Sequence, residues 1–154
     1  MKVVGIDITG GDVNWIGLEG TQARGQVFLM TKNKLPFPTS HDTDYRNLVA
    51  LKALIGLSLQ SAGAEKVAIV RAGKDCSPLR IKCEFVVELA CDELNIPCNL
   101  VAPQTIAAAQ KRKVPLVTGS SLATAFNSGA AISPQYLEKA AYCAWTALPG
   151  GAPC

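Results

Sequence analysis

The chain has little that would place it in a membrane, in a disulfide framework or around a zinc ion. No stretch approaches the roughly 18 consecutive apolar residues of a membrane helix. The opening MKVVGID enters a strand-like pattern with no apolar leader, so a cytoplasmic protein without membrane contact is expected. The single histidine, His41, sits in the polar run PTSHDTD, where a loop and helix-start role is expected rather than a catalytic or metal-binding one. The six cysteines are Cys76, Cys83, Cys91, Cys98, Cys143 and Cys154. They include no C-x-x-C pair and have no histidine at ligand spacing, which argues against zinc and for free thiols. Cys83, Cys91 and Cys143 lie in apolar, helix-like surroundings and read as small buried hydrophobes. Trp15, Phe28 and Phe37 could stack bases, but strand aromatics ordinarily serve a core and no RNA-binding sheet motif accompanies them. Neither a G-x-x-x-x-G-K-S/T loop nor a dinucleotide fingerprint occurs, and there is no internal repeat or low-complexity tract.

What is present is an ordinary globular composition. With 154 residues, 49% hydrophobic and 18% charged, the chain suits one domain with one sizeable core. The domain is read as 1–148, with PGGAPC at 149–154 as a flexible tail. A net charge of +3 permits an anionic partner without demanding one.

The first third reads as β. Val3, Val4, Ile6 and Ile8 make a first strand, TGGD a tight turn, and Val13 to Leu18 a second strand. Gln26 to Thr31 supplies a third, after which LPFPTSHDTD interrupts regular structure. From Asp44, a plausible N-cap, the period changes to that of a helix with Leu48, Leu51, Ile55 and Leu59 on one face, ending near Gly63. KVAIVR, Lys66 to Arg71, suits a buried parallel strand. Ser77-Pro78 opens a second helix whose Ile81, Phe85 and Leu89 recur every four residues. Pro97 to Ala102 is a fifth strand, and Pro103 to Ala109 a short helix broken near Lys111-Arg112-Lys113. A weaker helical segment spans Ser121 to Phe126. The last helix follows Ser133-Pro134, using Leu137, Ala141, Ala144, Trp145 and Leu148. This order predicts an α/β domain of ribonuclease-H-like class: a mixed five-stranded sheet, made of a three-strand antiparallel meander and then β-α-β units, with flanking helices.

Asp7 stands out because strand alternation puts Val4, Ile6 and Ile8 on one face and Val3, Gly5 and Asp7 on the other. An unpaired charge in a central strand costs several kcal/mol, so Asp7 should face a cleft, a cation or a hydrogen-bond network. The plainer alternative is an aspartate that hydrogen-bonds the backbone of the TGG turn. GIDITGGDVNWIGLEG resembles the opening hairpin of RuvC-type resolvases, and VAPQTIAAAQKR resembles the strand and helix before their closing helix. A closer resemblance, through KVVGID, IVRAGK and RIKCEFVVEL, is to an uncharacterised family of short bacterial RuvC-like proteins.

That resemblance implies metal-dependent phosphodiester hydrolysis, with clustered carboxylates holding two Mg or Mn ions about 4 Å apart. It also implies a second acid at the end of the fourth strand, where this chain has Val70 and Arg71, and two acids one turn apart on the last helix. There the chain offers Glu138 and Ala141, so Asp7 and Glu138 alone remain as catalytic and metal-binding candidates. Asp12 and Asp75 lie in loops that could approach them and make a rearranged site, since hard cations work with few carboxylates when a phosphate supplies oxygens. As a surface acid in a first helical turn, Glu138 would equally serve the helix dipole.

Basic residues gather at Arg71, Lys74, Arg80 and Lys82 and again at Lys111, Arg112 and Lys113, and both groups could face phosphates. A solvated charged surface is the ordinary explanation for the second. Arg71 and Lys74 could convert an acidic metal site into an anion site, or Arg71 could pair with Asp7. GIDITGG also resembles the first phosphate loop of sugar kinases and actin-like ATPases, where Gly10 and Gly11 would cradle phosphate. Those enzymes close two such domains over a nucleotide, which one domain cannot do. Three readings follow: nucleic-acid binding with a degenerate or unusual metal site, an active structure-selective nuclease, and a protein-interaction module or homodimer on a dead scaffold.

Overall fold

The computed structural model describes residues 1–8, 12–22, 24–28, 34–36, 45–74, 76, 78–111 and 138–150. Among them are β1 (Lys2–Ile8), β2 (Asp12–Thr21), β3 (Arg24–Phe28), β4 (Lys34–Pro36), α1 (Tyr45–Ala62) and β5 (Lys66–Val70). α2 (Pro78–Glu93), β6 (Cys98–Val101), α3 (Pro103–Lys111) and α4 (Glu138–Ala147) follow. The sheet runs β3-β2-β1-β5-β6, and β4 joins it by pairing with β2. β1 lies at the centre, antiparallel to β2 and parallel to β5, and β5 is parallel to β6. The predicted meander and β-α-β units are therefore present.

Among the described residues the sheet has six strands, where five were predicted. The extra one, β4, falls where Leu35-Pro36 reads as a break. It pairs Asp12–Asn14 of β2 beyond the stretch of β2 that β3 occupies, and a proline that ends a short edge strand withholds no ladder donor. The predicted segment Ser121 to Phe126, the Asp44 cap, the helix start at Ser133-Pro134, and His41, Phe37 and Leu137 lie outside the described residues.

Alternation along β1 divides the core in two. Val4, Ile6 and Ile8, with Val13 and Trp15 of β2 and Val67 and Ile69 of β5, pack against α1 and α2. Val3, with Ile16, Leu18, Ala68 and Val70, packs against α3 and α4. Trp15 is buried and cannot stack on a base. Leu51, Ile55 and Leu59 of α1 are buried as their spacing predicts. α1 stops at Gly63 (φ 68°), where the Gly63 N–H donates to Gln60 O at 3.0 Å and the Ala64 N–H to Leu59 O at 3.1 Å. These bonds satisfy carbonyls that a helix end would leave open.

α2 departs from its sequence reading. Its buried face is Cys83, Glu84, Val86, Val87, Ala90 and Cys91, and the predicted stripe Ile81, Phe85 and Leu89 faces out, with Phe85 59% exposed. Two apolar faces compete on this helix. The one with smaller side chains lies against the sheet, where space is short.

α4 packs closely on β1. A Cβ added at Gly5 would overlap the carbonyl oxygen of Ala140 and lie 2.8 Å from the Ala144 Cβ. The facing positions Ala140, Ala141 and Ala144 are correspondingly small and fully buried. At its far end α4 is fastened to the turn that follows β2: Trp145 Nε1 donates to Gln22 O at 3.1 Å and Gln22 Nε2 donates to Trp145 O at 3.1 Å. Gly5→Ala should cost about 3 kcal/mol or more, the upper range for overpacking a core. Urea unfolding would show this as a lower midpoint, and an unchanged midpoint would mean that α4 does not lie this close.

Candidate functional site

Asp7 sits in the last turn of alternation on β1, on the face that α4 covers. Cross-strand pairing places Asn14 of β2 opposite it. On the other side β5 runs parallel, with Ile6 level with Ile69, so Val70 flanks Asp7 at the strand end. Asp7 is only 5% exposed, and Asn14 and Val70 are buried with it. The position where the resemblance calls for a second acid is therefore an apolar side chain packed in the core with Ile106 and Ala140.

The charge that meets Asp7 comes from α2, which packs on the opposite face of the sheet. From its first turn Arg80 reaches round the end of β5, bringing a terminal guanidinium nitrogen to 3.9 Å from Asp7 Oδ1 and 3.4 Å from the Val70 carbonyl oxygen. The first separation is an ion-pair distance, longer than a hydrogen bond. One helical turn on, the buried Glu84 accepts the Ala72 N–H through Oε2 at 3.1 Å. Two side chains at i and i+4 thus hold the chain where it leaves β5. Sequence reasoning put Arg80 among phosphate contacts and offered Arg71 as the partner of Asp7. In the structure Arg71 is exposed just past β5, and Arg80 is the residue at ion-pair distance from Asp7.

Burial pushes the Asp7 carboxyl above its ordinary range, and the nearby positive charges of Arg80 and then Lys139 pull it part of the way back. Burial, with the negative field of Asp7 added, raises the Cys143 thiol on α4, which stays protonated. Burial also pushes Cys83 up to about 11.

Among the described residues no group of three His, Cys, Asp or Glu side chains could hold a metal ion. A two-ion centre needs several carboxylates converging on one point. The described surroundings of Asp7 are instead an amide, a valine, a guanidinium, an ammonium and the Cys143 thiol, and these groups by themselves do not make such a centre. Of the other predicted ligands, Asp12 begins β2 and Glu138 begins α4, with side chains outside the described residues, as is all of Asp75. Gly10 and Gly11 are likewise outside. Lys74 is exposed after β5 and Lys82 is exposed on α2. Lys111 closes α3 with its side chain not described, and Arg112 and Lys113 lie beyond.

No protein-family model matches the chain, and no curated protein matches its sequence. Solved structures do match. The Thermus thermophilus RuvC structure superposes with a TM-score of 0.73 at 16% identity, over 95% of this chain and 92% of that one. T. thermophilus RuvC in complex with a Holliday junction substrate superposes with a TM-score of 0.70 at 17% identity, over 95% and 91%. At this identity the likeness establishes the fold.

The raised Asp7 carboxyl fixes the sign of a pH effect. The folded state binds this proton more tightly than the unfolded chain does, so its stabilising contribution is complete below the ordinary carboxylate range and is lost as pH rises through the folded value. Asp7→Asn should therefore raise the urea midpoint at neutral pH, with the gain shrinking toward pH 4. A loss of stability at neutral pH would mean that a bound cation holds Asp7 ionised. Arg80→Gln should cost about 1–3 kcal/mol at neutral pH by leaving the carboxylate without its cation, and much less in an Asp7→Asn background, as a double-mutant cycle would read directly.

Proposed function

With the RuvC-like ribonuclease-H fold as premise, we propose that the Asp7 end of this sheet binds the phosphate backbone of a structured nucleic acid, and that its hydrolytic centre is degenerate. One observation carries this reading: the buried Asp7 faces Arg80 and Val70 where a nuclease of this type would array carboxylates. Exposed Arg71 and Lys74 follow β5 at the same sheet end and are available to phosphates. A match to a RuvC bound to a Holliday junction makes branched DNA the first substrate to try.

If Mg or Mn were bound when nucleic acid is present, Asp7 with Glu138, Asp12 or Asp75 would have to hold it. The ion would supply an activated water, and Arg80 would first have to leave Asp7.

The test is binding to branched, single-stranded and hybrid substrates across a salt series, with cleavage followed in parallel with Mg²⁺ or Mn²⁺. The expected outcome is salt-sensitive binding without cleavage. Arg71→Ala with Lys74→Ala should weaken binding across all sequences and reduce the slope of log K against log salt by about 2. Cleavage that Asp7→Asn abolishes would establish the active-nuclease alternative instead.

A second reading, self-association or a protein partner, is favoured by a different observation. Ile81, Phe85 and Leu89 form an exposed stripe on α2, and Val49, Leu54 and Leu57 are exposed on the adjacent α1. Exposed large apolar side chains gathered on a helix are the kind of surface that interaction sites use. We expect the domain to sediment as a dimer at micromolar concentration and Phe85→Asp to return it to monomer without lowering its unfolding midpoint. A wild-type protein that stays monomeric would remove this reading.

A further inference from the structure

β6 ends the sheet two strands away from β1, and among the described residues no strand lies beyond it. Its inner groups are engaged. The Val67 N–H donates to Pro97 O and the Arg71 N–H to Val101 O, each at 2.9 Å, in a parallel register that sets Val67 beside Cys98 and Ile69 beside Leu100. In a strand the N–H and C=O of one residue point to the same side and alternate with those of the next, so Pro97, Asn99 and Val101 turn toward β5. Cys98 and Leu100 therefore turn their N–H and C=O outward. No hydrogen bond among the described residues takes up these four groups.

The same edge borders an open cleft of about 600 Å³ between β6, α3 and α4, with Lys66, Asn99, Thr105 and Thr146 in its lining. Among the described residues that line it, the half-buried Lys66 alone carries charge. Val101 packs with the core under α3 and α4, and Cys98 with the core under α1 and α2. By alternation Asn99 lies on the face of the cleft, and Leu100, 42% exposed, lies on the other face.

We propose that β6 accepts an extended peptide of another protein as a further strand, with an acidic side chain directed at Lys66. In such additions main-chain hydrogen bonds supply affinity and alternate side chains supply specificity. Cys98–Val101 contains neither a lysine nor a proline, the residues that often shield an edge strand. Antiparallel pairing is the more stable per residue, and in it two peptide residues, level with Cys98 and Leu100, complete all four outward bonds. The residue between them lies level with Asn99 and turns to the cleft, where Lys66 favours a carboxylate. Its two neighbours turn to the opposite face, where apolar side chains cover Leu100. The pattern recognised is apolar, acidic, apolar. A second copy of the chain does not supply it, because antiparallel pairing of β6 with itself through the same four groups sets Asn99 opposite Asn99 and brings no acid to Lys66.

The full chain, isotopically labelled, would be titrated with the capped peptide Thr-Val-Glu-Val-Thr while amide exchange is followed by NMR. The expected result is saturable binding that slows exchange at Cys98 and Leu100 and leaves Asn99 and Val101, already bonded to β5, as they were. The same peptide with lysine in place of glutamate should bind about 5-fold more weakly, and Lys66→Ala should remove that difference. Methylating both valine nitrogens keeps every side chain but deletes the two donors, and should abolish binding. The comparisons among peptides use the wild-type chain and need no variant to fold. Unchanged exchange at Cys98 and Leu100 at millimolar peptide, equal binding of the glutamate and lysine peptides, or undiminished binding of the methylated one would each overturn the proposal. Protection of these two amides that grows with protein concentration alone would overturn it as well, since two copies of the chain would then be pairing along β6.

Discussion

The central strand can be crossed closely by the last helix only because residue 5 carries no side chain. Gly5 lets the backbone of α4 at Ala140 come down onto β1, and the alanines on that helix face are small for the same reason. This approach strips water from that face of the sheet. Val3, Ile16, Leu18 and Val70 gain a dry cover from it, and Asp7, on the same face two residues past Gly5, loses its hydration. The electrostatic character of the site is thus a consequence of packing.

A buried carboxylate must be compensated, and the kind of compensation determines what chemistry is open to it. A divalent ion concentrates charge at a point, orders ligands around itself and can hold a water ready to react. A guanidinium carries one delocalised charge, is tethered to its own helix and activates nothing. Arg80 offsets part of the cost of burying Asp7, and Lys139 adds to the same field from α4. Glu84 reinforces the arrangement by fixing the chain just beyond β5. The first two turns of α2 act as a clasp over the strand end.

Most of the architecture was legible in the sequence because it is written in periods. Alternation in KVVGIDI and VNWIGL gave the central hairpin, β-branched KVAIV gave the buried parallel strand, and Leu51, Ile55 and Leu59 gave the buried face of α1. Asp7 was legible as the one acidic residue of β1. The short edge strand at Lys34–Pro36 was hidden by its proline. The orientation of α2 was misread because its larger apolar residues, Ile81, Phe85 and Leu89, make the more conspicuous repeat while Cys83, Val87 and Ala90 fill the narrow space below. The pairing of Arg80 with Asp7 joins residues on opposite faces of the sheet around a strand end. No local period encodes that contact, and the spacing of Arg80 to Glu84 was the sole hint.

Val70 also sets what the end of β5 can tolerate. An acid in its place would lie beside Asp7 in the same dry pocket. With the Arg80 guanidinium in reach the two carboxylates could share one positive charge. With Arg80 removed as well, one of the two would have to stay protonated. The arginine thus governs how many negative charges this end of the sheet can carry, as well as compensating the one it has.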